Sequence, residues 1–216
     1  MSASTKMKRP YDSTRRKAQA RETQRQVVEA ARRLFTSRGY AGSTLDAIAQ
    51  EAGVSVETIY AVFGNKKTIL SRLMGISVVG DDEPVGLLDR SGPQAVKREH
   101  DQRDQIRMFS EQMAEIMARV APLFEVINSA AQVEPEIADL RENILRSRLN
   151  GMQFFIAALA ANGPLRPNPA EAAETVWAVS SAEVYLLLTR QRGWTPQQYT
   201  AWLADALSRL LLERDG

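Results

Sequence analysis

Between Ser43 and Lys66 the residue types and spacing suit the reading of DNA better than a reaction. Ala49, Gly53 and Ile59 stand at helix-turn-helix intervals, with three residues between the first two and five between the last two. The small Ala49 lets two helices approach, Gly53 turns the chain, and Ile48, Val54 and Ile59 fill the wedge. Ile59, Val62 and Phe63 are expected to face inward. Glu57, Tyr60 and Ala61 then face outward, with Val56 and Thr58 on the flanks, as the surface open to a major groove. Val56 suits a thymine methyl and Glu57 a cytosine amino group.

Catalytic chemistry has few residues to run on. The chain holds no cysteine and one histidine, His100, which lies among Lys97, Arg98, Glu99, Asp101 and Arg103 and reads as a surface residue. Thiol nucleophiles, thiolate zinc sites and histidine-based triads are excluded together. Glu111 and Glu115 form an i, i+4 carboxylate pair, but on the solvated face of their helix. Asp81, Asp82 and Glu83 read as a solvated loop. No catalytic residue, metal site or cofactor is expected.

The net charge of +2 conceals a division. Residues 1–72 carry 14 Lys and Arg against 6 Asp and Glu, net +8; residues 73–216 carry 14 against 20, net −6. A basic head on an acidic body points to a polyanion partner for the head. No apolar run approaches the roughly 20 residues of a membrane span, and the opening residues lack a signal-peptide core, so no membrane partner and a cytoplasmic location are expected.

The elements that position these groups follow from periodicity. Residues 1–16 read as a flexible basic arm. A helix-turn-helix domain spans 17–64, a connecting helix 65–76, and a ligand-binding and dimerisation domain 77–216. In the head, Val27, Ala30, Ala31, Leu34 and Phe35 form one helical stripe ending at Gly39; Ser43 and Thr44 open a helix through Ala52, and Ser55 caps another through Phe63. Residues 80–93 read as a linker. Helices are expected over 101–120, 122–132, 135–162, 169–192 and 195–212, with Pro122 starting a new one. The fold class is all-α: an N-terminal three-helix head on a larger helical body.

Three further residue sets carry functional expectations. Phe109, Met113, Met117, Phe124, Met152 and Phe155 are inward apolar groups able to line a ligand pocket, with Asn128 to orient a guest. Ala173, Trp177, Val184 and Leu188, together with Tyr199, Leu203, Ala206 and Leu210, form two stripes that can pair with their symmetry mates in a homodimer or be satisfied inside one subunit. Arg15, Arg16 and Lys17 lie just before the first helix, within reach of a groove or phosphate.

Thr44-Leu45-Asp46, Ala52-Gly53-Val54-Ser55 at the turn, Thr58-Ile59-Tyr60 followed by Phe63, and Lys66 three residues later together resemble the signature of TetR-family transcriptional regulators. The resemblance implies that Lys66 caps its helix and approaches a phosphate, that Tyr60 and Thr44 contact phosphates, and that the first part of the second motif helix, from Ser55 through Val56, Glu57 and Thr58, reads bases. Thr195 to Ala204, after Trp194, resembles the final helix of one large bacterial branch of the family. The function implied is a dimeric repressor of a palindromic operator in double-stranded DNA, released by a small apolar or amphipathic effector that shifts the connecting helix. A non-switching architectural DNA binder is the alternative, and a helical-body enzyme a distant third.

Overall fold

The computed structural model describes residues 13–213, with side chains from residue 18 onward. Among these residues the chain is α-helical and has no strand, only an isolated bridge between Leu165 and Leu212. In the head, α1 (Ser13–Arg38), α2 (Leu45–Ala52), α3 (Val56–Phe63) and α4 (Lys66–Val79) follow one another closely. Helix α1 begins four residues before the expected start, inside the stretch read as an arm, and α4 runs three residues past its expected end to Gly80. Residues 1–12 of that arm lie outside the described residues.

Helices α2 and α3 have eight residues each, too short to persist alone in water. They hold because Ile48, Ile59, Ile69, Leu70 and Leu73 are all fully buried against the α1 stripe of Val27, Ala30, Ala31, Leu34 and Phe35. That burial fixes the angle at which α3 is presented.

The body departs from expectation in three places. Residues 80–93, read as linker, contain a 3₁₀ turn (Leu87–Asp89) and the start of α5 (Ser91–Arg98). Pro93 sits in the first turn of α5, where its missing N–H would have no partner anyway. Pro122 does not start a new helix, because α6 runs unbroken from Gln102 to Ala130. An interior proline costs about 3 kcal/mol. Val120, Leu123 and Phe124 are all buried beside it, and each such side chain contributes about 1.5–3 kcal/mol, so packing exceeds the lost bond.

The third departure is the expected helix over 169–192. It divides into α8 (Pro169–Val179), α9 (Ala182–Leu186) and a π-helical turn, Leu187–Gln191. The break is made by two serines: Ser180 Oγ donates to Val176 O at 2.6 Å, and Ser181 Oγ caps α9 by accepting from Val184 N at 3.3 Å. Helix α7 (Pro135–Ala160) and α10 (Pro196–Leu211) complete the body, the latter opened by a reciprocal capping box between Thr195 and Gln198. Helix α6 is the spine, packing against α4 of the head and against α5, α7, α9 and α10.

Candidate functional site

The motif is built by local capping. Thr44 Oγ1 accepts from Ala47 N at 3.1 Å and starts α2. Gly53 ends it at φ 68°, a left-handed conformation that a side chain would strain. Ser55 Oγ then accepts from Thr58 N at 3.2 Å and starts α3. Ile59 and Phe63 face the core, while Thr44, Ser55, Glu57, Tyr60 and Ala61 are exposed, with Val56 and Thr58 half-buried at the edge. Val62 was expected inside, but it is 37% exposed. It lies one turn from Ile59 on the side away from Phe63, at the edge of the buried stripe.

The outer face of α3 carries one fixed charge. The Glu57 carboxyl is held below its usual range, first by its own backbone N–H and then by the Ser55 hydroxyl. It is therefore an acceptor near neutral pH, able to take a hydrogen bond from a base amino group and to repel a phosphate. Tyr60 is 57% exposed beside it, an aromatic face with a hydroxyl donor.

Lys66 stands differently from its expected phosphate role. Its ammonium donates to the Tyr40 carbonyl at 2.8 Å and lies 4.0 Å from the centre of the Tyr40 ring. Burial lowers its pKa, while Glu134 and Glu136 at the start of α7 act to raise it. Tyr40 Oη donates to Glu136 Oε1 at 3.5 Å, so this cluster joins the head to the body. Lys66 thereby fixes the loop that leads from Tyr40 to Thr44. The side chains of Arg15, Arg16 and Lys17 lie outside the described residues.

A second tie joins the head to α6. Arg119 Nε donates to Ser77 O at 2.9 Å and its Nη2 to Val78 O at 3.5 Å, both on the last turn of α4. Arg32 of α1 donates to the Ser77 hydroxyl at 3.1 Å. One buried serine on α4 is therefore held from the body and from α1 at once. None of Arg32, Ser77 and Arg119 was singled out from the sequence, where three residues so far apart give no local signal.

The body contains a cleft of about 60 Å³ beneath α5, between α6 and α7. Phe109, Met113, Met152 and Phe155 of the expected pocket line it, and the Phe109 and Phe155 rings stack 4.0 Å apart. Met117 and Phe124 are buried in the core without lining the cleft. Asn128 does not line it either: its amide donates to Glu183 Oε1 at 3.1 Å, and its Oδ1 accepts from Arg141 Nε at 2.7 Å. The wall missed by sequence reasoning comes from Leu87 and Leu88 of the expected linker and from Val96, three residues beyond it.

Of the eight expected dimer positions, Ala173, Tyr199 and Leu203 are fully buried inside the chain, so a partner cannot touch them. Tyr199 and Leu203 belong to the side of α10 turned inward, where the Tyr199 ring meets the Tyr185 ring edge-on at 4.8 Å. Trp177, Val184, Leu188 and Ala206 are half-buried. Leu210 is 44% exposed and Leu187, which was not singled out, 48%.

Residues 27–73 match the family described as bacterial regulatory proteins of the tetR family. The helix-turn-helix segment of the head is thus that of the tetR family of bacterial regulatory proteins. That match runs from the middle of α1 into α4 and covers every cap and turn of the motif. The HTH-type transcriptional regulator TtgR of Pseudomonas putida is 45% identical over 60 residues, 28% of this chain and 29% of TtgR, so less than a third of that relative's length is matched. Among solved structures, a SmeT–triclosan complex superposes with a TM-score of 0.66 at 17% identity, over 88% of this chain and 92% of SmeT. NalD, the secondary repressor of the MexAB-OprM multidrug efflux pump in Pseudomonas aeruginosa, gives 0.63 at 19% identity, over 92% and 100%. At these identities the likeness to these structures is one of fold. No helix of the described residues is long and apolar enough to cross a membrane.

Proposed function

We propose that the chain is a homodimeric transcriptional repressor that binds a pseudo-palindromic operator through α3 and releases it when a small apolar or amphipathic ligand enters the body. The observation that carries this reading is α3 itself, capped by Ser55 and locked by Ile59 and Phe63, with Glu57, Tyr60 and Ala61 presented to solvent. Val56 and Glu57 read base edges, while Thr44, Thr58 and Tyr60 position the helix on the backbone. Lys66 acts by holding the Tyr40 to Thr44 loop in place, and Arg15, Arg16 and Lys17 add sequence-independent affinity. TtgR, a transcriptional regulator, supports the DNA-binding part, and the repressor NalD the direction of control.

The switch rests on the ties between body and head. A ligand between α5, α6 and α7 displaces α6, and Arg119 carries the displacement to the last turn of α4. Release requires that the ligand prefer the spacing of α3 helices that does not fit DNA, because a guest with equal affinity for both states shifts nothing. The triclosan complex of SmeT is a relative of this fold with a small molecule bound. The dimer is proposed to form through the exposed sides of α8 to α10, with Trp177, Leu187, Leu188 and Leu210 at the contact. Binding titrations against an operator chosen from random DNA, with and without candidate ligands, test the whole reading. Tight binding at one site and its loss with ligand are the expected results.

A further inference from the structure

The cleft beneath α5 has an asymmetric lining. Its walls are apolar, with Phe109, Phe155, Met113 and Met152 at the base. Only two of its side chains are polar, Lys97 and Gln112, and no carboxylate lines it. The Lys97 ammonium stands 5.5 Å from the centre of the Phe154 ring and has no salt-bridge partner among the described residues. An unpaired cation at the mouth of an aromatic-lined slot favours a guest with an apolar body and one negative head group. A cationic guest would meet Lys97 with no acid to offset the repulsion.

Gly151 supplies the second observation. It lies inside α7, where glycine costs roughly 0.5–1 kcal/mol against alanine. Its backbone is ordinary helix, and a Cβ built on it meets no atom within 4 Å. Neither conformation nor crowding in the closed form requires glycine here. Gly151 lines the cleft, so the missing side chain leaves a bare stretch of helix backbone against which a flat guest can lie.

The closed cleft, at about 60 Å³, holds no more than a water or two, so the guest must lift α5. The two ends of α5 are tied to different neighbours. Its C-terminal end is pinned by Gln105 Nε2 donating to Val96 O at 3.0 Å and by Asn162 Nδ2 donating to Glu99 O at 2.8 Å. Its first turn has no side-chain cap, and Gly92 there rests on Gln112, where an added Cβ would come within 3.1 Å of Gln112 Oε1. Gln94 Nε2 in that turn donates to Leu88 O at 2.7 Å, and Arg90 just before it pairs with Asp81 at 2.6 Å, so α5, hinged at residue 99, lifts at residue 91 together with the 3₁₀ turn.

We infer that this cleft binds an organic monoanion with a flat apolar body, its charge paired with Lys97 and Gln112 at the mouth, its rings between Phe155 and Gly151, and α5 acting as the lid. This deepens the proposed function, since it rests on the reading that the body cleft takes the effector.

The test uses three probes of one shape, 2-naphthoate, 2-naphthamide and 2-naphthylmethylammonium, titrated calorimetrically into the full chain. Naphthoate is expected to bind about tenfold tighter than the amide, the worth of one charge-assisted hydrogen bond at a wet rim, and the ammonium weakest. Lys97→Met should bring the anion down to the amide without changing the amide. Gly151→Leu should abolish binding of all three while cooperative thermal unfolding is kept; Gly151→Ala, which adds one methyl group to the wall, should weaken them less. Equal affinity for anion and amide, an anion preference that survives Lys97→Met, or unchanged binding in Gly151→Leu would overturn the inference. Operator binding is measured on the same preparations. If DNA binds but the anion shows no preference, the ligand class fails and the regulator reading stands. If the anion binds as expected but leaves operator affinity unchanged, the ligand class stands and release by this cleft fails.

Discussion

Arg119→Met isolates the tie between the ligand-bearing body and the DNA-bearing head. The substitution keeps most of the apolar stem and removes the donor to Ser77 O at 2.9 Å; the second contact, to Val78 O at 3.5 Å, is too long to add much. A hydrogen bond from a charged donor is worth about 1.5–3 kcal/mol, and the partial exposure of Arg119 puts this one at about 1.5. For a chain of this length the loss corresponds to a fall in Tm of about 3–6 °C. Allosteric coupling amounts typically to about 1–3 kcal/mol, so a tie of that size is a large part of the whole. Operator affinity without ligand should therefore stay within about twofold, while the factor by which a releasing ligand weakens operator binding falls up to tenfold. Fluorescence anisotropy of labelled operator gives that factor directly. Linkage supplies a check, since operator DNA must weaken ligand binding by the same reduced factor. A lowered Tm with an undiminished factor would mean that Arg119 only holds the fold, and the proposed route through α4 would be wrong.

Other substitutions separate the remaining roles. Glu57→Ala should relax preference at one base pair per half-site, worth about 1–3 kcal/mol of discrimination, whereas Lys66→Ala should weaken all sequences alike by loosening the Tyr40 carbonyl and the loop to Thr44; the same uniform loss from both in titrations on variant operators would remove the division. Leu187→Glu with Leu210→Glu, both at exposed positions, should give a monomer in sedimentation with little change in Tm, and a persisting dimer would move the interface elsewhere. The Asp81 carboxyl is lowered to about 2, chiefly by its hydrogen bonds from Arg90, which clasp the loop between them at 2.6 Å. A carboxyl depressed on folding stabilises above its unfolded value of 3.8 and loses that contribution as pH falls toward 2. Amide protection factors in residues 80–90, which remove the intrinsic pH dependence of exchange, should fall over that window and stay constant between pH 5 and 8.

What could be read from the chain was what is decided locally. Thr44, Gly53 and Ser55 act on backbone groups within three or four residues, so their spacing alone places α2 and α3. Whatever depends on a distant neighbour was hidden. A 3.6-residue period shows that Tyr199 and Leu203 share an apolar face but not that α6 covers it. Pro122 reads as a helix start until the burial of Leu123 and Phe124 is known. Acids and glycines around Asp81 and Gly86 mask the short apolar face of Leu87, Leu88 and Val96 that roofs the cleft. For Asn128, position on α6 was predictable, but the Arg141 and Glu183 partners that turn it away from the cleft were not. The Tyr40 carbonyl that engages Lys66 is backbone, and no side-chain pattern announces it.

The most direct measurement of the central claim is selection of bound sites from random double-stranded DNA by the purified protein, followed by footprinting of the enriched sequence. An inverted repeat with half-sites about one helical turn apart, protected as one discrete block, is the predicted result. Uniform coating with no enriched sequence, or no protection at all, would contradict it.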